Sequence, residues 1–456
     1  MVFADKQDGE YAARDAFSGA FAGSFKKHKL KKISLNNRLR SQIRSVLAVM
    51  ELRNSDPAVR LAAVERMLDR PDPANAERLT PLLESEQDVQ VRETMGLVIA
   101  LADLESEDRQ QRVKAVATLE GSLHPAVRNG LRKLMDNTGD KAFAESIQHT
   151  LNGIDARLQF YSVVENIFFG LSLGSVLVLA AIGLAITFGV MGVINMAHGE
   201  LIMIGAYTTY VVQLLMPDHI GASVLVAIPA AFVVSGLVGI AIERGVIRFL
   251  YGRPLETLLA TFGISLVLQQ AVRSIFSPLN RSVETPSWMS GVWEINSALS
   301  LTFNRLYIII FCLLVFAALF MVLKRTALGL QVRAVSQNRA MARAMGVRSE
   351  WVDAMTFGLG SGIAGVAGVA LSQLTNVGPN LGQAYIIDSF MVVVFGGVGN
   401  LWGTLVSGMT LGVANKFLEP WSGAVLAKIL VLVFIILFIQ KRPRGLFPQK
   451  GRAAEG

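Results

Sequence analysis

From residue 160 to residue 440 the chain is an almost unbroken series of apolar runs parted by short breaks, most of them basic. A helix that crosses the hydrocarbon core needs about 20 such residues. Runs of about that kind lie at 163–189, 201–216, 222–242, 256–275, 305–323, 353–373, 385–398, 401–418 and 424–440. Glycines interrupt two places, Gly192 to Gly199 and Gly396, Gly397 and Gly399, so the count is eight or nine spans. Over the whole chain 52% of residues are hydrophobic and 17% charged, against about 25% charged in soluble domains. The charge is concentrated before Arg157, which divides the chain in two. The expected fold is all-α: a polytopic helical membrane domain at 160–448, preceded by a small helical domain at 51–157. Residues 1–50 are expected to be a loosely ordered, basic leader, and 449–456 a cytoplasmic tail.

Basic residues collect at 243–253, at 324–348 and after Lys441, and the positive-inside bias puts these breaks in the cytoplasm. The breaks at 276–304 and 374–384 then lie outside. Nine crossings place the first domain outside the membrane and eight place it in the cytoplasm; the outer side is slightly favoured. No apolar signal segment precedes that domain, and the run Lys26–Lys32 (KKHKLKK) is unsuited to export. The net charge of +8 is absorbed by the loops that topology makes basic, so nucleic acid is not an expected partner. The single cysteine, Cys312, excludes an intramolecular disulfide or a thiolate metal cluster. No cofactor or metal is expected.

The first domain carries a recurring start: Asp56-Pro-Ala-Val-Arg60, Asp88-Val-Gln-Val-Arg92 and His124-Pro-Ala-Val-Arg128, each leading into an amphipathic stripe. Proline suits the first helical turn and aspartate caps free amides. Intervals in the 30–40 range match two-helix solenoid units, so a HEAT-like stack is expected, either as a docking surface or as structural decoration.

Three polar groups in the membrane half point to a pathway. Gly183–Glu200 (GLAITFGVMGVINMAHGE) brings Asn195, His198 and Glu200 into a glycine-broken apolar stretch. Polar groups at that depth are costly and face a cavity or a partner, and broken helices are tolerated where protein or water satisfies the backbone. The competing reading is a turn whose side chains cap helix ends. Thr257, Thr261 and Gln269 share one face of the span at 256–275, as a pore stripe or as helix–helix hydrogen bonding. Asp388 in a later span is a third lining group. The stripe Gly358, Gly360, Gly362, Gly365 and Gly368 reads as a packing face, with a gating hinge as the lesser option. Arg325–Val347 is an exposed basic stretch of helix formers ending at Gly346; Arg333, Asn338, Arg339 and Arg343 either lie against lipid headgroups or dock into a cytoplasmic partner. The chain carries no GxxxxGK[ST] loop, HExxH or GxSxG motif, so it is not read as an enzyme, and energy for uphill transport has to come from another subunit.

From about Val164 to Pro448 these segments resemble the permeases of branched-chain amino acid type ABC importers. The strongest likeness is in Ile186–Tyr207 (ITFGVMGVINMAHGELIMIGAY), and 325–347 is similar to that family's cytoplasmic coupling loop. Gly252–Gln270 and Asn376–Thr404 look most like the urea-transporting branch, which tends to carry an extra N-terminal helical domain. The resemblance implies a bacterial inner-membrane importer with a second homologous permease subunit, two cytoplasmic ATPases and an extracytoplasmic solute-binding protein. It implies urea or a short amide as solute; the alternatives are a branched-chain or other amino acid, or a passive channel or scaffold. Urea suits neutral partners such as Thr261, Gln269 and Asn195, whereas a zwitterion favours charged partners or a helix N-terminus.

Overall fold

A computed structural model describes residues 2–7, 10–15, 21–25, 50–68 and 73–447. The basic run Lys26–Lys32 and the tail at 449–456 lie outside the described residues. The chain divides into two units, Met1–Arg157 and Leu158–Gly456.

In the first unit, each recurring start opens a helix. Asp56 accepts from the Ala58 amide ahead of α1 (Pro57–Leu68), and α2 (Pro73–Leu83) follows. Asp88 caps α3 (Val89–Asp103) through the amides of Gln90 and Val91, and His124 Nδ1 accepts from Ala126 at the head of α5 (Pro125–Asn137). A fourth start, Asp108, caps α4 (Arg109–Thr118); its spacing had hidden it. The arginine four residues after the cap is as regular as the cap. Arg60 reaches back to the carbonyls of Asn54 and Ser55, and Arg112 does the same to Ser106 and Glu107. Arg60 also holds Glu86 through two bonds of 2.8 and 2.7 Å. The unit is mostly helical, but β1 (Val2–Gln7), β2 (Glu10–Asp15) and β3 (Phe21–Phe25) form an antiparallel sheet that the all-α expectation lacks. Five- and six-residue strands are too short to set an alternating pattern apart from its surroundings.

The long helix α6 (Lys141–Met191) begins in the first unit and ends in the second. In the second unit follow α7 (His198–Leu215), α8 (Ile220–Gly245) and α9 (Pro254–Phe276). A hairpin of β4 (Val292–Asn296) and β5 (Leu299–Thr302) precedes α10 (Phe303–Arg325). After α11 (Ala327–Gln337) and α12 (Arg339–Ala344) come α13 (Ser349–Ser372), α14 (Leu381–Gly396) and α15 (Leu401–Lys441). Among the described residues six helices are long and apolar enough to cross a membrane, the longest being α6 and α15.

α15 is not one straight rod. Gly423 has φ 77° and ψ 161°, outside helical values. Past the helix, Leu446 and Phe447 donate their amides to Phe395 and Gly396, beside the start of α15. The second half of α15 therefore runs back along the first, and the separate apolar runs at 401–418 and 424–440 are its two arms.

Two further breaks lie deep in the bundle. His198, the first residue of α7, is 2.8 Å from the Ala180 carbonyl, eleven residues or about 16 Å before the end of α6. The stretch 192–197 thus turns back into the bundle unwound, and α7 starts at mid-depth. α14 starts at the same depth: Gly382 lies directly on the backbone of Gly199, closer than any side chain would allow. From that crossing α7 leads away from the basic side and α14 leads towards it. α6, its break and α7 are thus repeated in the opposite direction by α13, the stretch 373–380 and α14. The glycines of α13 are a packing face: Gly360 meets Gly183, Gly362 meets Phe232 and Gly368 meets the backbone of Ile202.

Candidate translocation pathway and coupling surface

The unwound 192–197 stretch leaves backbone groups that apolar neighbours cannot satisfy. α9 supplies the partners. Thr261 Oγ1 accepts from the Met196 amide at 3.2 Å, and Asn195 Oδ1 caps the Ala197 amide at 3.0 Å. One turn along, Ser265 and Gln269 donate to Glu200 Oε1 at 2.9 and 2.7 Å. Thr257, Thr261, Ser265 and Gln269 form one buried stripe at four-residue spacing, and Ser265 is the member that sequence reading omitted. Thr257 stands apart, bonded to Leu250 and Arg253 at the start of its own helix.

Around the start of α7 several polar atoms remain unpartnered: Asn195 Nδ2, His198 Nδ1, Glu200 Oε2 and, two turns on, Tyr207 Oη. All four residues are buried. These unmet donors and acceptors lie at mid-depth, beside the Gly199–Gly382 crossing, where polar groups are costly unless they meet a partner.

Asp388 is not part of that centre. It lies in α14 and pairs with Lys428 of the returning arm of α15, Nζ to Oδ2 3.1 Å. Lys428 was not singled out from the sequence, since a lone lysine in an apolar run carries no pattern.

On the basic side the stretch of helix formers forms two helices, α11 and α12, parted by Asn338, which caps α12 through the Met341 amide at 2.9 Å. Gly346 closes it with φ 84°. The arginines turn into their own chain. Arg339 makes a two-pronged contact with Asp353 at 2.7 and 2.9 Å and lies over the Tyr251 ring at 5.0 Å. Burial, with Asp353 and Glu243 beside it, raises the Tyr251 phenol well above its ordinary range. Arg343 donates to Ser349 at 2.6 Å, and Arg333 to the Leu323 carbonyl. Beside the exposed Arg333, Arg343 and Arg348, this surface turns three apolar side chains outward: Leu330, Met341 and Met345 are 63%, 61% and 78% exposed. Arg333 also lines a cavity of about 1060 Å³ with Lys324, Asn400 and Trp402.

On the opposite side the 277–302 loop ties the helix ends together. Gln213 exchanges two hydrogen bonds with Glu284, Trp288 donates to Gly221, and Arg281 bridges to Val377.

Residues 166–439, more than half the chain, match the model of the family described as branched-chain amino acid transport system / permease component. The chain belongs to this family. It is 30% identical over 297 residues to the high-affinity branched-chain amino acid transport system permease protein BraD of Pseudomonas aeruginosa, covering 63% of this chain and 96% of that protein. Similarity to the LivH permease protein of Escherichia coli K12 is 30% over 298 residues, with the same coverage. The ribose import permease protein RbsC of the same organism is 23% identical over 285 residues, covering 61% of this chain and 85% of its own length. No solved structure matches. As a permease of this family the chain is a multi-pass membrane component of a transport system, and the matched region leaves the first unit outside it.

Proposed function

We propose that this permease carries an amino acid inward as one membrane subunit of an ATP-driven importer, beside a second homologous permease, two cytoplasmic ATPases and a solute-binding protein. The observation that carries this reading is its likeness to branched-chain amino acid permeases over 96% of their length. Urea, placed first by the resemblance of Gly252–Gln270 and Asn376–Thr404, has no counterpart among these relatives' names, and the amino acid takes precedence. The solute path runs past the start of α7, where Asn195, His198 and Glu200 are exposed once Gly199 and Gly382 part; Thr261 and Gln269 hold the broken segment in place. In this reading Met341 and Met345 insert into a groove of an ATPase, and Arg339, Arg343 and Asn338 set the shape of the helix that presents them. The 277–302 loop receives the binding protein.

The test is uptake of labelled leucine and labelled urea by cells carrying the gene, with and without the ATPase genes. ATP-dependent leucine uptake is expected; uptake that survives removal of the ATPases refutes the importer. Met341→Glu with Met345→Glu is expected to abolish uptake at unchanged membrane abundance. Full uptake in that double variant removes these methionines from the coupling surface.

A further inference from the structure

The second arm of α15 is apolar from Gly423 to Ile439 except at Lys428. Packing does not account for that lysine, because Ala427, Val431 and Ile435 already bury the contact stripe of the arm. Lys428 stands five residues, about 8 Å, from the Gly423 bend. A lysine so near a helix end normally extends towards the interfacial water there. This one is held by a carboxylate of another helix. Its ammonium meets Asp388, which is eight residues or about 12 Å along α14 from Gly396 and hence well inside a core about 30 Å thick.

Nor is the pair sealed inside the bundle. The Lys428 side chain is 53% exposed and that of Asp388 10%. Ile387 and Gln383 on the same stretch of α14 are also exposed. Half-exposed charge at this depth is costly against lipid, and it belongs on a water-filled cavity or a partner surface.

We propose that Asp388 and Lys428 form a charge site on the translocation path that takes a zwitterionic solute, Asp388 holding its ammonium and Lys428 its carboxylate. Opening one ion pair and forming two keeps every charge matched, and the empty site closes on itself. A neutral amide such as urea offers no charge to either group. This proposal rests on the importer reading and names the two groups that hold its amino acid.

The test is made in the native host with the chromosomal gene replaced, reading uptake of labelled leucine and urea and membrane abundance by immunoblot. Asp388→Asn and Lys428→Gln are each expected to lower leucine uptake at least about tenfold, the loss of one contact worth about 1.4 kcal/mol, at wild-type abundance. The exchanged double variant Asp388→Lys with Lys428→Asp stays inactive if the site orients its solute between neighbouring groups. Restored uptake in the exchanged variant means the pair only staples α14 to α15 and overturns the proposal. Unchanged uptake in both single variants also overturns it. A wild-type permease that carries urea and leaves leucine outside overturns the zwitterion site while the importer reading stands. Uptake independent of the ATPases overturns the reading itself.

Discussion

Removing the Asp353 carboxylate is the sharpest test of how the basic-side arm is held. Asp353 is buried, its side chain 1% exposed, and accepts two charge-assisted bonds from Arg339, whose side chain is 31% exposed. Each hydrogen bond to a charged group contributes about 1.5–3 kcal/mol, and breaking a fully buried pair costs about 3–5 kcal/mol. Because water reaches Arg339, part of that cost is recovered, and the coupling between the two residues is set at about 2 kcal/mol. That corresponds to about a thirtyfold rise in the undocked form of the arm spanning α11 and α12. The arm carries Arg333, Arg339 and Arg343, so trypsin acting on the purified permease reads the undocked population directly. Asp353→Asn and Arg339→Gln should each speed cleavage within 326–348, and the double variant should be no worse than the more damaging single one. If the single effects add to within about 0.5 kcal/mol, or Asp353→Asn is cut at the wild-type rate, the pair does not hold the arm.

Two further outcomes are expected. Gly199→Ala drives a methyl group into the Gly382 backbone and should destabilise the permease by about 1–3 kcal/mol in equilibrium unfolding from mixed micelles; wild-type stability there refutes the mid-depth crossing. In the first unit, the hydrogen bond from Arg60 holds the Glu86 carboxyl below its usual range. A depressed carboxyl stabilises the fold above its unfolded pKa of about 4.3 and loses that contribution as pH falls through the lower folded value. The protection of the α1 amides in the full-length protein, exchange taken relative to the intrinsic rate at each pH, should therefore fall on acidification, and Glu86→Gln should flatten the response.

Helix starts were legible because they are local: at Asp56, Asp88 and His124 a cap and an arginine four residues on act within one turn, with a proline between them at Asp56 and His124. The β4–β5 hairpin was not, since its valine, tryptophan and isoleucine sit in a polar loop where the alternation is only a few residues long. The stripe of Thr261 and Gln269 was legible as a face, though not what it faced. Glu200 lies 69 residues from Gln269, and only the unwound segment before α7 brings them together. The basic arm shows the same limit: Arg333, Arg339 and Arg343 look like free charges along the chain and are all bonded to it in space.

By itself the sequence determined that the second unit is a set of membrane helices with one basic side, because run length and loop charge set the energy of each segment in lipid independently of its neighbours. The tertiary structure alone decided which polar groups meet. Asp388 finds Lys428 and Gly199 finds Gly382 only after depth and rotation of whole helices are settled, and a linear pattern specifies neither.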